Sequence, residues 1–199
     1  MATISVLILT KNSEALIKPC LDALYSFDEI IILDNGSTDN TLVIAEKYHN
    51  VSIKKHPFIG FGPLKNIGID YCKNDWILNI DSDEIMSSQL CKELLTLELN
   101  ISTIYKVRRK NHYNGQLIES CGWENDWVMR LFNKQTTRFN DAYVHESLLK
   151  HNLVVKKLHN VILHYPFNNA SQLIDKMQKY SSLYANDMKD KKTSSPFKA

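Results

Sequence analysis

The chain has 199 residues, 44% of them hydrophobic, which suits one globular domain with its own core. Its 24 Lys and Arg residues nearly balance its 22 Asp and Glu residues, and the net charge of +2 indicates no overall preference for nucleic acid or other acidic polymers. No stretch approaches the ~20 apolar residues of a membrane helix, and the N-terminus, MATISVLILTKN, lacks the basic region and long apolar core of a signal peptide.

The first half of the chain alternates short apolar runs with helical patterns. ISVLIL, EIIIL, VSIKK and DWILNI (4–9, 29–33, 51–55 and 75–80) have the length of strands, and three of them lack polar alternation, as strands covered on both faces do. The segments between them have helical spacing, with Ser37 or Thr38 as the predicted N-cap of the second helix and Pro63 in the first turn of the third. This rhythm predicts βαβ units, a parallel sheet and the α/β class.

The second half changes character. TIYKVRRKNHYNGQLIES (103–120) predicts two strands around Asn114-Gly115, a strong hairpin dipeptide. DWVMRLFNK, AYVHESLLK and VVKKLHNVILHYP (126–134, 142–150 and 154–166) are further predicted strands, and ASQLIDKMQKYSSLYANDM (170–188) is a predicted amphipathic helix. Since no repeat or low-complexity linker separates the halves, we expect a single domain over residues 1–199.

The cysteines and histidines show neither a disulfide pattern nor a zinc pattern. The four cysteines are far apart without a CxxC pair, and the seven histidines show no HExxH spacing. Widely spaced cysteines of this kind are typical of reduced thiols in a cytosolic protein. The cysteines are Cys20, Cys72, Cys91 and Cys121.

Polar or cationic side chains follow every predicted strand of the first half. Because the carboxyl ends of parallel strands meet at one edge of a sheet and form its binding crevice, this pattern predicts a nucleotide pocket. The glycine-rich loop HPFIGFGPLKN matches neither GxGxxG nor GxxxxGK[ST], which argues against dinucleotide and P-loop sites. The residues at the strand ends are Thr10, Lys11, Asp34, Lys65, Asp81 and Asp83.

Two of these residues also have structural explanations. Asp34 could open a turn through Asn35-Gly36, because Asp and Asn side chains bond to their own backbone in turns. Lys65 could be a solvated charge on a helix, which is the usual environment of a lysine.

Asp81-Ser82-Asp83 is the strongest candidate for a metal site. Alternate side chains of an extended segment share a face, so we expect Asp81 and Asp83 to point the same way and Glu84 to point away. Two carboxylates on one face favour Mg²⁺ or Mn²⁺, and such an ion neutralises the charge that develops on a departing diphosphate. The alternative is a helix N-cap, with Asp83 or Ser87 at the start of the next helix.

These residues resemble the motifs of the family 2 glycosyltransferases, which have the GT-A fold. ISVLILTKN, IIILDNGSTDNT, GFGPLKNIGI and WILNIDSDE stand in the family's order. GWENDWVMRLF, RFNDAYVHE and ILHYPF (122–132, 138–146 and 162–167) resemble the branch that includes the lipopolysaccharide inner-core β-glucosyltransferases. The resemblance implies a mostly parallel central sheet with helices on both faces, and a smaller mixed β lobe on the acceptor side.

The same resemblance implies an inverting, metal-dependent transfer of a sugar, with UDP-glucose as the expected donor and a bacterial surface glycan such as lipopolysaccharide core as the acceptor. Residues 1–100 would bind the nucleotide-sugar and residues 101–199 the acceptor. By position in the motifs, Asp34 would contact the uracil, Thr10 and Lys11 would line the nucleotide, Lys65 would lie near the diphosphate, and Asp81 and Asp83 would be the DxD, with Asp83 as the direct metal ligand.

Inversion by single displacement needs one general base, which takes the proton of the acceptor hydroxyl. Asp126 is the predicted catalytic base, because it stands where the family places its acid, and Glu124 is the second choice. Asp141 and Glu146 are the remaining candidates, and His145 is a candidate ligand of the metal or the diphosphate.

Trp123 and Trp127 flank this acid and have two readings. Either ring could stack on a sugar, and packing in the core is an equally good explanation for one of them.

Other functions fit the same motifs. A non-catalytic module could hold a nucleotide-sugar without turnover, and a transferase could act on a capsule or lipid-linked acceptor. The expected partners are a nucleotide-sugar donor and a glycan or glycolipid acceptor, without nucleic acid. The expected location is cytoplasmic, with a peripheral contact at the cytoplasmic face of the inner membrane. The basic cluster of Arg108, Arg109 and Lys110 has three explanations, namely a solvated strand face, a contact with a phosphorylated lipid A core, or a contact with an anionic membrane surface.

Overall fold

The structure, a computed structural model, describes residues 3–120 and 122–191, with side chains as far as residue 185. In chain order its elements are β1 (Ile4–Thr10), α1 (Glu14–Ala23), β2 (Glu29–Asp34), α2 (Thr41–Ala45), β3 (Val51–Lys55), α3 (Phe61–Tyr71), β4 (Trp76–Asp81), β5 (Glu84–Met86), α4 (Ser88–Thr96), β6 (Thr103–Tyr113), β7 (Gln116–Leu117), β8 (Trp127–Asn133), β9 (Val154–Phe167) and α5 (Ala170–Lys191).

These strands form a single sheet of nine strands in the order β3-β2-β1-β4-β8-β6-β9-β5, with β7 paired to β6. The strands β3, β2, β1 and β4 are parallel, as the βαβ rhythm predicts. β8 joins β4 and β6 in antiparallel pairing, while β9 runs parallel to β6. The α/β class is confirmed, and the mixed strands of the second half extend the parallel sheet.

Helices cover both faces of the sheet because its central strands are apolar on both sides. On one face Ile4, Val6 and Ile8 of β1 pack against α1, α2 and α4. On the other face Leu7 and Leu9 pack against α3 and the segment that follows β8. Packing on both faces fixes the position of the carboxyl ends of β1 and β4 at one edge of the sheet.

The predicted N-cap of α2 was wrong. The helix begins at Thr41, with Asn40 as its N-cap, and the Asp39 carboxylate accepts the Thr41 N–H at 3.0 Å. Ser37 donates its hydroxyl to Asp34 instead, so it belongs to the loop after β2. Thr38 also precedes the helix.

The predicted strand over 142–150 was also wrong. Asn140 closes this segment as a loop, since its N–H donates to the Ser147 carbonyl at 3.0 Å and its side-chain oxygen accepts the Ser147 N–H at 3.1 Å. His145 adopts a left-handed backbone conformation with φ of 59°. Alternating polar and apolar residues therefore indicated a strand where local side-chain bonds favour a loop.

Three cysteines are free and buried, as expected for reduced thiols. They are Cys20, Cys72 and Cys91. Burial raises the pKa of the Cys72 thiol to about 12 and that of Cys91 to about 11, so both remain protonated at neutral pH. Cys121 lies outside the described residues.

The predicted C-terminal helix is confirmed as α5, and the predicted hairpin at Asn114-Gly115 joins β6 to β7. Both hairpin residues have positive φ, 48° and 75°, as a type I′ turn requires. Across the part of the chain that the structure describes, every helix is too short or too polar to cross a membrane.

Helix α3 starts in direct contact with the loop that follows Phe139. The N–H groups of Phe61 and Gly62 donate to the carbonyls of Tyr143 and Ala142 at 2.9 and 3.1 Å. A Cβ on Gly62 would lie 1.9 Å from the carbonyl oxygen of Asn140. Only glycine permits this approach, which also places the loop residues that follow beside the edge of the sheet.

We therefore expect Gly62→Ala to destabilise the protein, because the clashing atom belongs to the backbone and cannot rotate away. Thermal or urea unfolding should show a loss of about 1–3 kcal/mol. Lys92→Ala, at an exposed position of α4, is the control and should change stability by less than about 0.5 kcal/mol. Equal stabilities of the two variants would contradict the close approach.

Candidate functional site

A cavity of about 640 Å³ opens at the carboxyl ends of β1 and β4. Five of the six residues predicted at the strand ends line it, namely Thr10, Lys11, Lys65, Asp81 and Asp83. The cavity therefore lies at the edge of the sheet where the crevice rule predicts one. Arg130, His164 and Lys176, from the second half of the chain, also line it, so both halves build this cavity.

Asp81 and Asp83 reach the cavity by a different geometry from the expected one. Asp81 ends β4, Ser82 and Asp83 form a tight turn, and β5 begins at Glu84. The alternation expected for an extended segment therefore does not apply here. The turn is held by the Ser82 hydroxyl, which is 2.6 Å from the Ser13 hydroxyl.

Asp81 is held between two cations. Arg130 donates to it at 2.6 Å, and the Lys65 ammonium lies 3.7 Å away. Burial by itself would raise the pKa of the Asp81 carboxyl, but the charges of Arg130 and Lys65 outweigh it and hold the pKa well below its ordinary range. Asp81 is therefore ionised at neutral pH.

Asp83 faces a histidine and a lysine. His164 Nε2 lies 3.6 Å from one carboxylate oxygen, and the Lys176 ammonium lies 3.4 Å from the other. Burial raises the pKa of Asp83, while the hydrogen bond and charge of His164 and the charge of Lys176 lower it, and the net direction is down. The other ring nitrogen of His164 is 2.6 Å from the Asn111 side-chain oxygen, which fixes the ring.

His164 was missed as a site residue, although its motif ILHYPF was noticed. The expected late histidine, His145, does line the cavity, but it is His164 that lies beside Asp83. The signal was its place on β9. This strand pairs in antiparallel register with Glu84–Met86 of β5, so that His164 stands opposite Glu84.

Glu84 was expected to point away from the site, and that prediction was wrong. Its side chain is fully buried and accepts hydrogen bonds from Arg130 at 2.5 Å, from Arg109 at 3.2 Å and from the Asp81 N–H at 3.1 Å. Burial by itself lowers the pKa of Arg130, but the charges of Asp81 and Glu84 raise it by more than burial lowers it. The guanidinium therefore stays charged. Arg130 is the extra residue of a bulge in β8, which turns it towards both carboxylates.

Among the residues that the structure describes, the cavity offers a divalent cation only two protein ligands, Asp83 and His164. In residues 3–120 and 122–185, no three His, Cys, Asp or Glu side chains converge on one point. Asp83 and His164 offer two ligand atoms 3.6 Å apart, which two bonds of about 2.1 Å can span. Mg²⁺ and Mn²⁺ keep waters and phosphate oxygens in their other positions, so one or two protein ligands suffice. Asp81 is already engaged by Arg130.

Asp34 stabilises the turn that follows β2, which was the structural alternative to a role in binding. Its buried carboxylate accepts the N–H groups of Gly36 and Ser37 at 3.0 and 3.1 Å. The neighbouring Asn35 lines the cavity, and its side-chain oxygen is buried without a hydrogen-bond partner among the described residues. The expected contact of Asp34 with a base stays a prediction, and Asn35 is a group that sequence reasoning missed.

The candidate bases separate by their environment. Glu146 lies 2.5 Å from Lys65 in the first cavity, and Asp141 is an exposed loop residue. Asp126 lines a second cavity, of about 550 Å³, together with Trp123 and Trp127. The two cavities share Arg109, His164 and Lys176 as a common wall.

Asp126 is fixed in orientation by two side chains. One carboxylate oxygen accepts hydrogen bonds from Arg109, at 2.8 Å, and from the Asn111 amide, at 3.0 Å. Arg109 and Asn111 alternate along β6 and point to the same side of the sheet. Asp126 directly precedes β8, the strand next to β6, and its bonds to Arg109 and Asn111 place it beside the first cavity.

Residues 5–150 match the family described as Glycosyl transferase family 2. The chain belongs to this family. It is 30% identical to an uncharacterized glycosyltransferase of Rickettsia typhi, over 94% of this chain and 68% of that protein. It is 27% identical to the lipopolysaccharide core biosynthesis glycosyltransferase LpsC of Rhizobium meliloti, over 92% of this chain and 70% of that protein.

Among solved structures, residues 1–349 of S. aureus TarS share the fold, with a TM-score of 0.59 and 18% identity over 82% of this chain. This chain spans 60% of the length of that TarS structure. TarS has also been solved with UDP-GlcNAc, at a TM-score of 0.58 and 17% identity. The predicted GT-A fold is thus confirmed.

In this family 2 chain the C-terminal helix contributes to the first cavity. Lys176, Lys179 and Tyr180 of α5 line it, and the Tyr180 ring stacks on Phe61 with centroids 5.7 Å apart. Burial raises the pKa of Tyr180 to about 12, so its hydroxyl stays protonated. The sequence indicated an amphipathic helix here, and its amphipathic pattern alone did not show that one face would close the site.

Glu84→Gln tests whether the buried carboxylate holds the site together. The amide keeps the shape but removes the charge that neutralises Arg130 and Arg109, and breaking a buried ion pair costs roughly 3–5 kcal/mol. We expect a loss of this size in urea unfolding. Glu98→Gln, at an exposed position, is the control and should leave stability unchanged. A neutral effect of Glu84→Gln would contradict this role.

Proposed function

We propose that this chain transfers a sugar from a nucleoside diphosphate sugar to a hydroxyl of a bacterial surface glycan, with inversion at the anomeric carbon. UDP-glucose is the proposed donor. The observation that carries the proposal is the pair of adjoining cavities. The first has cations and carboxylates at the strand ends, the second has a fixed carboxylate, and both share the wall formed by Arg109, His164 and Lys176.

The first cavity suits the diphosphate of the donor. Lys11, Lys65 and Arg130 line it, and Arg130 is permanently charged and fixed by Asp81 and Glu84. Negative charge grows on the diphosphate as its bond to the sugar breaks, and prearranged cations stabilise that charge. Asn35, with its unpartnered oxygen, and Thr10 would contact the nucleoside.

Asp83 and His164 would hold a divalent cation, with Asp81 beside them. When bound, the cation would supply a Lewis acid for the departing diphosphate. Asp83 provides an ionised carboxylate for this purpose, and Asn111 orients the His164 ring through the nitrogen that does not face Asp83. Lys176 would have to leave Asp83 when the cation binds.

Asp126 would act as the general base in the second cavity. It would accept the proton of the acceptor hydroxyl as that oxygen attacks the anomeric carbon. Arg109 and Asn111 hold one carboxylate oxygen, which leaves the other to face the acceptor. Trp123 lines the same cavity and offers an aromatic face for a sugar ring.

The relationship to LpsC supports a lipopolysaccharide-core type of acceptor. Such an acceptor is anchored in a bilayer, so a peripheral contact with the inner membrane is part of the proposal. A thermal-shift screen of UDP-, GDP- and dTDP-sugars with and without Mn²⁺ tests the donor, because a ligand that binds the folded state raises its apparent stability. We expect UDP-glucose with Mn²⁺ to give the largest shift, and a larger shift with another base would overturn the UDP assignment.

A non-catalytic nucleotide-sugar-binding module is the second candidate, and only turnover separates it from an enzyme. Release of UDP on addition of a deacylated lipopolysaccharide core acceptor would support the transferase. Donor binding without any release of UDP on a panel of surface glycans would favour the module.

Asp83→Ala should remove the Mn²⁺-dependent part of the UDP-glucose thermal shift, because it deletes the carboxylate proposed to bind the cation. The shift seen with UDP-glucose and EDTA should remain. Asp75→Ala, an exposed acid just before β4, is the matched control and should keep the full Mn²⁺ effect. An unchanged Mn²⁺ effect in Asp83→Ala would rule out the metal role.

Asp126→Asn should leave the UDP-glucose thermal shift intact and lower the turnover rate by about 10²–10⁴, the usual contribution of a general base. The amide keeps the volume and the hydrogen bond to Arg109. UDP release measured under saturating donor gives the rate, with Asp141→Asn as the control that should retain wild-type turnover. If Asp126→Asn turns over at the wild-type rate, the base is another residue.

A further inference from the structure

The strand β6 carries cations on both faces of the sheet, and only one face belongs to the site described above. Arg109 points to the site side, where it pairs with Glu84 and Asp126. Lys106, Arg108 and Lys110 occupy the alternate positions, so their side chains emerge on the opposite face. All three remain partly exposed.

Two neighbouring strands complete this surface. Lys157 of β9 stands opposite Lys106, and Trp127 of β8 stands opposite Arg108. The ammonium groups of Lys157 and Lys106 lie 4.6 and 5.8 Å from the centre of the Trp127 ring, within the range of cation–π contacts. We call Lys106, Arg108, Lys110 and Lys157 the cationic row.

Among the described side chains, the cationic row has no ion-pair partner. The strands β6, β8 and β9 contain no aspartate or glutamate. In the part of the chain whose side chains are described, no member of the row forms an ion pair. Because the whole chain has a net charge of only +2, this concentration of positive charge is local. Like charges held together repel one another, which favours an anionic ligand.

The row begins at the wall of the second cavity. Trp127 lines that cavity, and the residue before it is Asp126, the proposed base. Arg108 donates to the backbone carbonyl of Glu124 at 3.1 Å and so ties the row to the loop that bounds the cavity. An acceptor whose sugar lies in the cavity would therefore reach the row, on the opposite face of the sheet, around the start of β8.

We propose that the acceptor is an anionic glycan, whose phosphate or carboxylate groups bind the cationic row while the sugar to be modified lies in the second cavity. This inference rests on the proposed function for the identity of that cavity. The continuity of Trp127 between cavity and row favours anionic groups on the acceptor itself over the headgroups of a bilayer.

The row can be tested by binding to a defined anionic saccharide. The probes are a heparin-derived tetrasaccharide and its desulfated counterpart, titrated against the full chain and followed by tryptophan fluorescence. Trp127 lies between the lysines of the row, so occupation of the row should change its emission, and Trp127→Phe should remove most of that change. Affinity should fall with added salt, as expected for exposed charges.

Lys106→Glu/Lys157→Glu is the test variant. Lys47→Glu/Lys92→Glu, which reverses two exposed lysines elsewhere, is the control with the same change of net charge. We expect the test variant to bind the sulfated tetrasaccharide at least about tenfold more weakly than the wild type, and the control to stay within about twofold. Thermal unfolding checks that both variants fold.

Equal binding by the test and control variants would overturn the proposal, since the attraction would then come from net charge. A second arm uses vesicles of phosphatidylcholine and phosphatidylglycerol. If the test variant loses vesicle binding but keeps saccharide binding, the row is a membrane contact and the proposal is wrong. Failure of UDP-glucose to bind would refute the donor assignment alone, because tetrasaccharide binding is measured without a donor.

Discussion

One fully buried carboxylate, Glu84, holds the two halves of the site together. It would be very costly to bury without compensation, and Arg130 and Arg109 supply the compensating charge. Each arginine then reaches a second acid, Arg130 to Asp81 and Arg109 to Asp126. The result is a continuous chain of alternating charge from the first cavity to the second, with Glu84 at its centre.

This chain of ion pairs explains how a site built from distant segments is kept in shape. The arginines come from β6 and from the bulge of β8, while the acids come from the ends of β4 and β5 and from the loop before β8. Polar groups whose orientation is set before a substrate binds lose little free energy in reorganisation. The same strand, β6, also presents Arg108 to the opposite face, so one alternating sequence serves the proposed base on one side and the cationic row on the other.

The sequence predicted local features well and misjudged those that depend on a turn. Apolar runs identified the parallel strands, and the position of Asp81 at a strand end predicted the edge of the sheet at which the first cavity opens. The orientation of Glu84 was wrong because the alternation rule holds only for extended backbone, and Ser82 and Asp83 form a turn. The strand expected over 142–150 failed for the same kind of reason, since side-chain bonds to the backbone favoured a loop.

By itself, the sequence determined the order and type of most elements, the α/β class and the acids at the strand ends, because periodicity and turn chemistry are encoded within a few neighbouring residues. Only the tertiary structure decided which side chains meet. His164 reaches Asp83, and Arg109 reaches Glu84, across long stretches of chain, because β9 pairs with β5 and β6 in one particular register. That register depends on the packing of the whole sheet, which no local pattern in the sequence specifies.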